Sequence, residues 1–191
     1  MDLKYTCDLC ILMKDVYGTY CPEWYRGFFA AKRITFGRLQ FESGQLGKPY
    51  EKGDLSLSPT DTVIYIHIPR TGERLFPADV DAACERASTF FKEKLHLTRV
   101  VFACHSWLLY PENKRILKEG SNLYDFISRF DVIDVTEDTS YHDVWRLFDM
   151  DYTGDLDALP QDTSLRRAYV QRMKEGKPLG EALGVYVRNN V

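Results

Sequence analysis

The sequence has no apolar run approaching the roughly 20 residues that a membrane span requires, and its acidic start lacks the basic n-region of a signal peptide. Together these absences point to a cytosolic protein that does not act in a membrane. A basic stripe is missing too. The net charge is −3, and the stretch from Asp131 to Asp162 holds ten carboxylates against one basic residue, Arg146. A protein that grips a polynucleotide needs the opposite balance, so nucleic acid is not an expected partner. Cysteine is sparse: Cys7, Cys10, Cys21, Cys84 and Cys104 are an odd number spread over 191 residues, which argues against a disulfide framework. Cys7 and Cys10 form a C-x-x-C, but a zinc site needs a second pair and Cys21 alone does not supply it. The run Asp149-Met-Asp-Tyr-Thr-Gly-Asp-Leu-Asp begins like a calcium loop, yet Pro160 stands where the bidentate Glu should close it. No metal is expected. Repeats and low-complexity tracts are also absent.

What is present is the composition of one globular domain: 45% apolar and 28% charged residues, with 12 Tyr and 11 Phe. That many aromatics predicts that some line a groove as well as fill a core. Two short helices are expected first, one near residues 3–16 and one after Pro22. Arg33 to Glu42 alternates and predicts a strand. Residues 43–60, rich in Gly, Pro, Ser and charge, predict a long hairpin connection with a short strand inside it. Thr62 to Pro69 is β-branched or aromatic on both faces, as a central strand is. Pro77 to Leu95 predicts an amphipathic helix with Val80, Ala83, Cys84, Ala87, Phe90 and Phe91 inward. Thr98 to Trp107 predicts a second buried strand. Strand, helix and strand in that order form a βαβ unit, hence a parallel, right-handed crossover. Helices at 121–130, 141–148 and 163–175 and strands at 132–136 and 184–187 complete an α/β (α+β) reading: a mixed central sheet with helices on both faces.

The polar residues worth weighing stand at the end of the second buried strand. His105 can serve as a general base there. Cys104 is a conceivable acyl carrier, although neighbours in a strand point to opposite faces and should not pair. His67, in the middle of the other strand, reads as a satisfied core histidine.

Several segments carry a resemblance: F-G-R-L-Q-F-E at 36–42, I-H-I-P-R-T-G at 66–72, C-H-S-W-L-L-Y-P at 104–111, L-P-Q-D-T-S-L-R-R-A at 159–168 and L-G-V-Y-V at 183–187. Together they resemble the GNAT-like C-terminal domain of bacterial acyltransferase domain-containing proteins, over residues 33–191. The resemblance implies a GNAT-like sheet and transfer of an acyl group from acetyl-CoA or another acyl-CoA to a small-molecule or peptide amine. It implies that Arg70, Thr71, Gly72 and Arg74, in the loop leading to the long helix, hold the pyrophosphate. This loop has one Gly and carries Glu73, a departure from the usual signature. A tyrosine that protonates the departing thiolate usually follows an Asn by seven residues; that place after Asn122 is taken by Arg129, leaving Tyr110 and Tyr124 as the candidates. Residues 1–32 would be the remnant of a helical N-terminal domain, and such a domain or a second copy of the chain is the expected macromolecular partner. The competing readings are a non-catalytic binding or regulatory domain on the same fold, and an interaction module that works with an N-terminal domain.

Overall fold

The computed structural model describes residues 30, 32–69, 73–150 and 152–188. The two expected N-terminal helices, the C-x-x-C, Cys21, and Arg70, Thr71 and Gly72 lie outside the described residues. Eight strands are described: β1 Arg33–Phe36, β2 Leu39–Gln45, β3 Tyr50–Lys52, β4 Leu55–Leu57, β5 Thr62–His67, β6 Phe102–Ser106, β7 Asp131–Asp138 and β8 Leu179–Tyr186. The α-helices are α1 Pro77–Leu95, α2 Pro111–Ile116, α3 Asn122–Ser128, α4 Trp145–Phe148 and α5 Ser164–Lys174. Six strands form one mixed sheet in the order β1-β2-β5-β6-β8-β7, and β3 and β4 form a separate hairpin. The expected mixed sheet flanked by helices is the fold observed, with β5 and β6 parallel across the α1 crossover.

The residues explain these elements. Helix α1 starts at Pro77, whose fixed φ suits a first turn. It carries Asp79 in that turn and Lys92 and Lys94 in the last one, and ends where His96 adopts a left-handed φ of 54°. Val80, Ala83, Cys84, Ala87 and Phe91 recur at helical spacing and are buried. They pack on the sheet face that presents Leu39, Phe41, Ile64, Ile66, Phe102 and Cys104. Alternation sends Val63, Val101, Ala103, Leu183 and Val185 to the other face, where Leu46 and Tyr50 of the β3–β4 hairpin region cover them. A third cluster joins Tyr141, Val144, Phe148, Leu165, Tyr169 and Met173 around Leu179 of β8.

Two expectations are corrected. Arg33 to Glu42 is a hairpin rather than one strand, because Gly37 takes a φ of 58° and reverses the chain. The last strand begins at Leu179, not Gly184, and pairs along β6 and β7. Residues 107–116, which carried no expected element, form a 3-10 turn over Trp107–Leu109 and then α2.

Candidate functional site

The sheet comes apart at its centre. β2 and β5 pair over six residues, from Gln45↔Thr62 to Gln40↔His67, and β6 and β8 over five. Between them, β5 and β6 pair only at Ile64↔Phe102 and Tyr65↔Ala103. Ile64 N–H donates to Val101 O at 2.9 Å. Main-chain groups alternate sides along a strand, so those of Ile66 and Ile68 point the same way, into the gap beyond the last pair. The two strands thus diverge at their carboxyl ends, and a cavity of about 1170 Å³ opens there.

Its walls bring together side chains from five strands and the helices after them. From β2 comes Glu42, from β5 Tyr65 and His67, from β6 His105, from β8 Glu181 and Leu183, and from β7 Asp134; Trp145, Arg146 and Arg166 close the far side. His67 and His105 stand on the face of Val63 and Val101, one on each lip of the gap. His105 is half exposed, and its Nε2 lies 3.3 Å from Glu181 Oε1. That contact is diagonal across the β6–β8 ladder, in which His105 is opposite Leu183. His67 Nε2 lies 2.9 Å from Glu42 Oε1, and Glu42 Oε2 accepts from Arg33 Nη2 at 2.7 Å. Burial pushes the Glu42 carboxyl up, but His67 and Arg33 outweigh it and hold it below the usual carboxylate range. His67 is therefore a bonded residue of the cavity wall rather than of the apolar core.

Arg38, in the β1–β2 turn, also lines this cavity. Its guanidinium donates to Pro69 O at 3.2 Å and to Glu73 O, so it ties both flanks of the loop that contains residues 70–72. Neither Arg38 nor Glu181 stood out in the sequence. The first followed from reading residues 33–42 as one strand, and the second from starting the last strand too late.

The remaining candidates have different surroundings. Cys104 also borders the cavity, but it is 1% exposed and packs in the α1 core, and burial pushes its thiol up to about 12. A thiol that stays protonated is a poor acyl carrier. Tyr110 is buried, with its hydroxyl donating to Glu137 Oε1 at 2.8 Å; burial first, and then Glu137, push it up to about 12. Tyr124, on α3, has Lys114 over its ring at 5.8 Å. Neither tyrosine is among the residues that line the cavity. Arg74 is exposed on the approach to α1. In the acidic run, Asp149 pairs with Arg166 at 2.5 Å and Asp157 with Lys174 at 2.7 Å, so basic groups of α5 take up charge that a cation would otherwise meet. Among the described residues, no group of three or more His, Cys, Asp or Glu is placed to hold a metal ion.

Residues 34–186 match the profile of the GNAT-like C-terminal domain. The chain belongs to that family. Its fold is also that of solved acyltransferases. One, in complex with decanoyl-CoA and teicoplanin, is 25% identical at a TM-score of 0.75, over 94% of this chain and 55% of that one. A second, in complex with CoA and 10C-teicoplanin, gives the same values. A mutant acyltransferase in complex with octanoyl-CoA is 24% identical at a TM-score of 0.76, over 95% and 55%, and supports the fold alone. The chain spans about half the length of these structures. No curated protein matches it. Among the described residues, no helix is long and apolar enough to cross a membrane.

Proposed function

We propose that this GNAT-like domain transfers an acyl group from an acyl-coenzyme A to an amine of a small-molecule or peptide acceptor. The observation that carries the reading is the parting of β5 and β6: it leaves main-chain N–H and C=O groups free along one edge, beside a histidine–carboxylate pair. An amide-bearing pantetheine arm is the kind of ligand such an edge can hold. The loop beyond β5 leads to the N-terminus of a 19-residue helix, which favours a pyrophosphate. Arg70, Thr71, Gly72 and Arg74 are assigned to that loop's contacts. The likeness to an acyltransferase in complex with decanoyl-CoA supports a medium-chain acyl group, with acetyl-CoA as the short alternative.

In the chemistry proposed, the amine nitrogen attacks the thioester carbon directly. His105 takes the proton that the nitrogen loses, with Glu181 holding the ring in place. Main-chain N–H groups at the gap receive the charge that builds on the carbonyl oxygen. The C–N bond forms, the C–S bond breaks, and the coenzyme A thiolate leaves with a proton returned by the imidazolium. Cys104, Tyr110 and Tyr124 have no part in this scheme.

The test combines binding with turnover. Saturating decanoyl-CoA, at about 100 times its Kd, stabilises the protein by about 2.7 kcal/mol through mass action. For a domain of this size that is a rise in Tm of several degrees. Arg70→Glu with Arg74→Glu abolishes the rise, and His105→Ala leaves Tm near normal while transfer to an amine is lost. No shift at millimolar acetyl-, octanoyl- or decanoyl-CoA would overturn the reading. Binding without transfer to any amine would leave a binding or regulatory domain.

A further inference from the structure

A second cavity, of about 220 Å³, adjoins the first, and Trp107, Arg146, Leu147 and Glu181 line both. Glu181 is the partner of His105, so the smaller cavity begins beside the proposed base. Its walls include the apolar side chains of Val144, Leu147 and Leu179, and two further groups. Trp107, Tyr141 and Tyr169 present rings, with Trp107 and Tyr169 set edge to face at a centroid distance of 6.0 Å. Asp138 and Asp143 join Glu181 in supplying carboxylates. The tyrosine hydroxyls are turned to other work: Tyr169 donates to Asn113 Oδ1 at 2.6 Å and Tyr141 to Lys177 O at 3.0 Å. What the lining offers a ligand is therefore apolar and π-surface with a net negative charge, three carboxylates against one arginine. Arg146, the one basic residue of the lining, is engaged by Asp143 at 3.2 Å and stacks over Trp145 at 4.9 Å.

We propose that this side cavity binds an ammonium group on a short apolar stem, so that the acceptor is of the diamine class, with one amine at His105 and a second, charged amine in the cavity. The inference rests on the acyl-transfer reading for the role of the ligand as acceptor, but not for its binding. Aromatic faces attract a cation and tolerate its methylenes, and partly desolvated carboxylates add to that attraction. An anionic or long uncharged chain meets three carboxylates instead. The volume suits the class, since a cavity of about 150 Å³ is enough for benzene.

The probes are 1,4-diaminobutane, n-butylammonium, butyrate and n-butanol, followed by the NMR shift of the Trp107 indole N–H and by calorimetry on the full chain. The two ammonium probes shift the Trp107 signal and bind more weakly as salt rises; butyrate and butanol do neither. Asp138→Asn, which keeps an acceptor for Ser140, weakens diamine binding about tenfold. Equal binding of butanol or butyrate, or no shift at Trp107 with any probe, overturns the proposal. With decanoyl-CoA added, 1,4-diaminobutane is acylated at a lower KM than n-butylamine, and Asp138→Asn removes the difference. Equal KM values in the unaltered protein overturn the diamine assignment while leaving acyl transfer intact. Cation binding with transfer to neither amine upholds the site and sinks the acyl-transfer reading instead.

Discussion

Glu42 shows how much of the cavity depends on single charges. It faces Arg33 on one oxygen and His67 on the other, so a buried guanidinium and a catalytic-face imidazole share one carboxylate. Replacing it by Gln removes the negative charge that both of them face here. At neutral pH this costs about 1–3 kcal/mol, the range for losing a hydrogen bond to a charged group. The sign of the pH dependence follows from the depressed pKa of the folded protein. Its contribution is fully present above the ordinary carboxylate value, about 4.3, and is lost as pH falls through the lower folded value. Urea titrations at pH 7 and at successively lower pH check this: the gap between the protein and Glu42→Gln narrows below about pH 4. A gap that is constant with pH would mean that Glu42 acts through packing alone. His105 was legible in the sequence at this scale because it ends an otherwise apolar strand. His67 was not, since its partner lies 25 residues away on a strand whose register no local pattern reveals.

At the scale of elements, β8 has to accommodate what packs against it. A methyl group added at Gly180 would sit 2.5 Å from Thr136 O and 2.8 Å from the Tyr110 ring. One at Gly184 would lie 2.9 Å from both Leu109 and Phe130. The strand is thus glycine-bearing where its neighbours come closest, and Gly180→Ala is expected to lower stability by about 1–3 kcal/mol through overpacking, measured as a drop in the urea midpoint. A neutral result would show that β7 yields at Thr136. The same glycines explain why the strand was read short from sequence: they dilute the apolar alternation of residues 179–183 that would have marked it. Helix α1 was legible to its end residues because Pro77, a clean apolar period and a charged last turn all agree. The β1–β2 turn was not, because a lone Gly37 inside an alternating run reads equally well as a strand position.

Across the whole molecule, the sheet is two three-stranded halves, β1-β2-β5 and β6-β8-β7, joined in the middle by two residue pairs. Sequence order announced the βαβ crossover, but not how soon its strands separate, since that depends on long-range packing of β2 on one side and β8 on the other. The join has a consequence for exchange of amide hydrogens with solvent. Amides of Ile64 and of the outer ladders are hydrogen-bonded and are expected to exchange slowly, whereas those of Ile66 and Ile68 face the opening and are expected to exchange fast. In the proposed binding mode, a ligand arm along that opening would supply the missing acceptors and join the halves. Deuterium uptake at residues 66–68 should therefore slow when decanoyl-CoA is added, while uptake at Gln40–Gln45, already paired, stays as it was. Unchanged uptake at 66–68 with bound ligand would place the arm elsewhere. Slowed uptake there would instead make the central seam a line in the sheet whose solidity is borrowed from the molecule it holds.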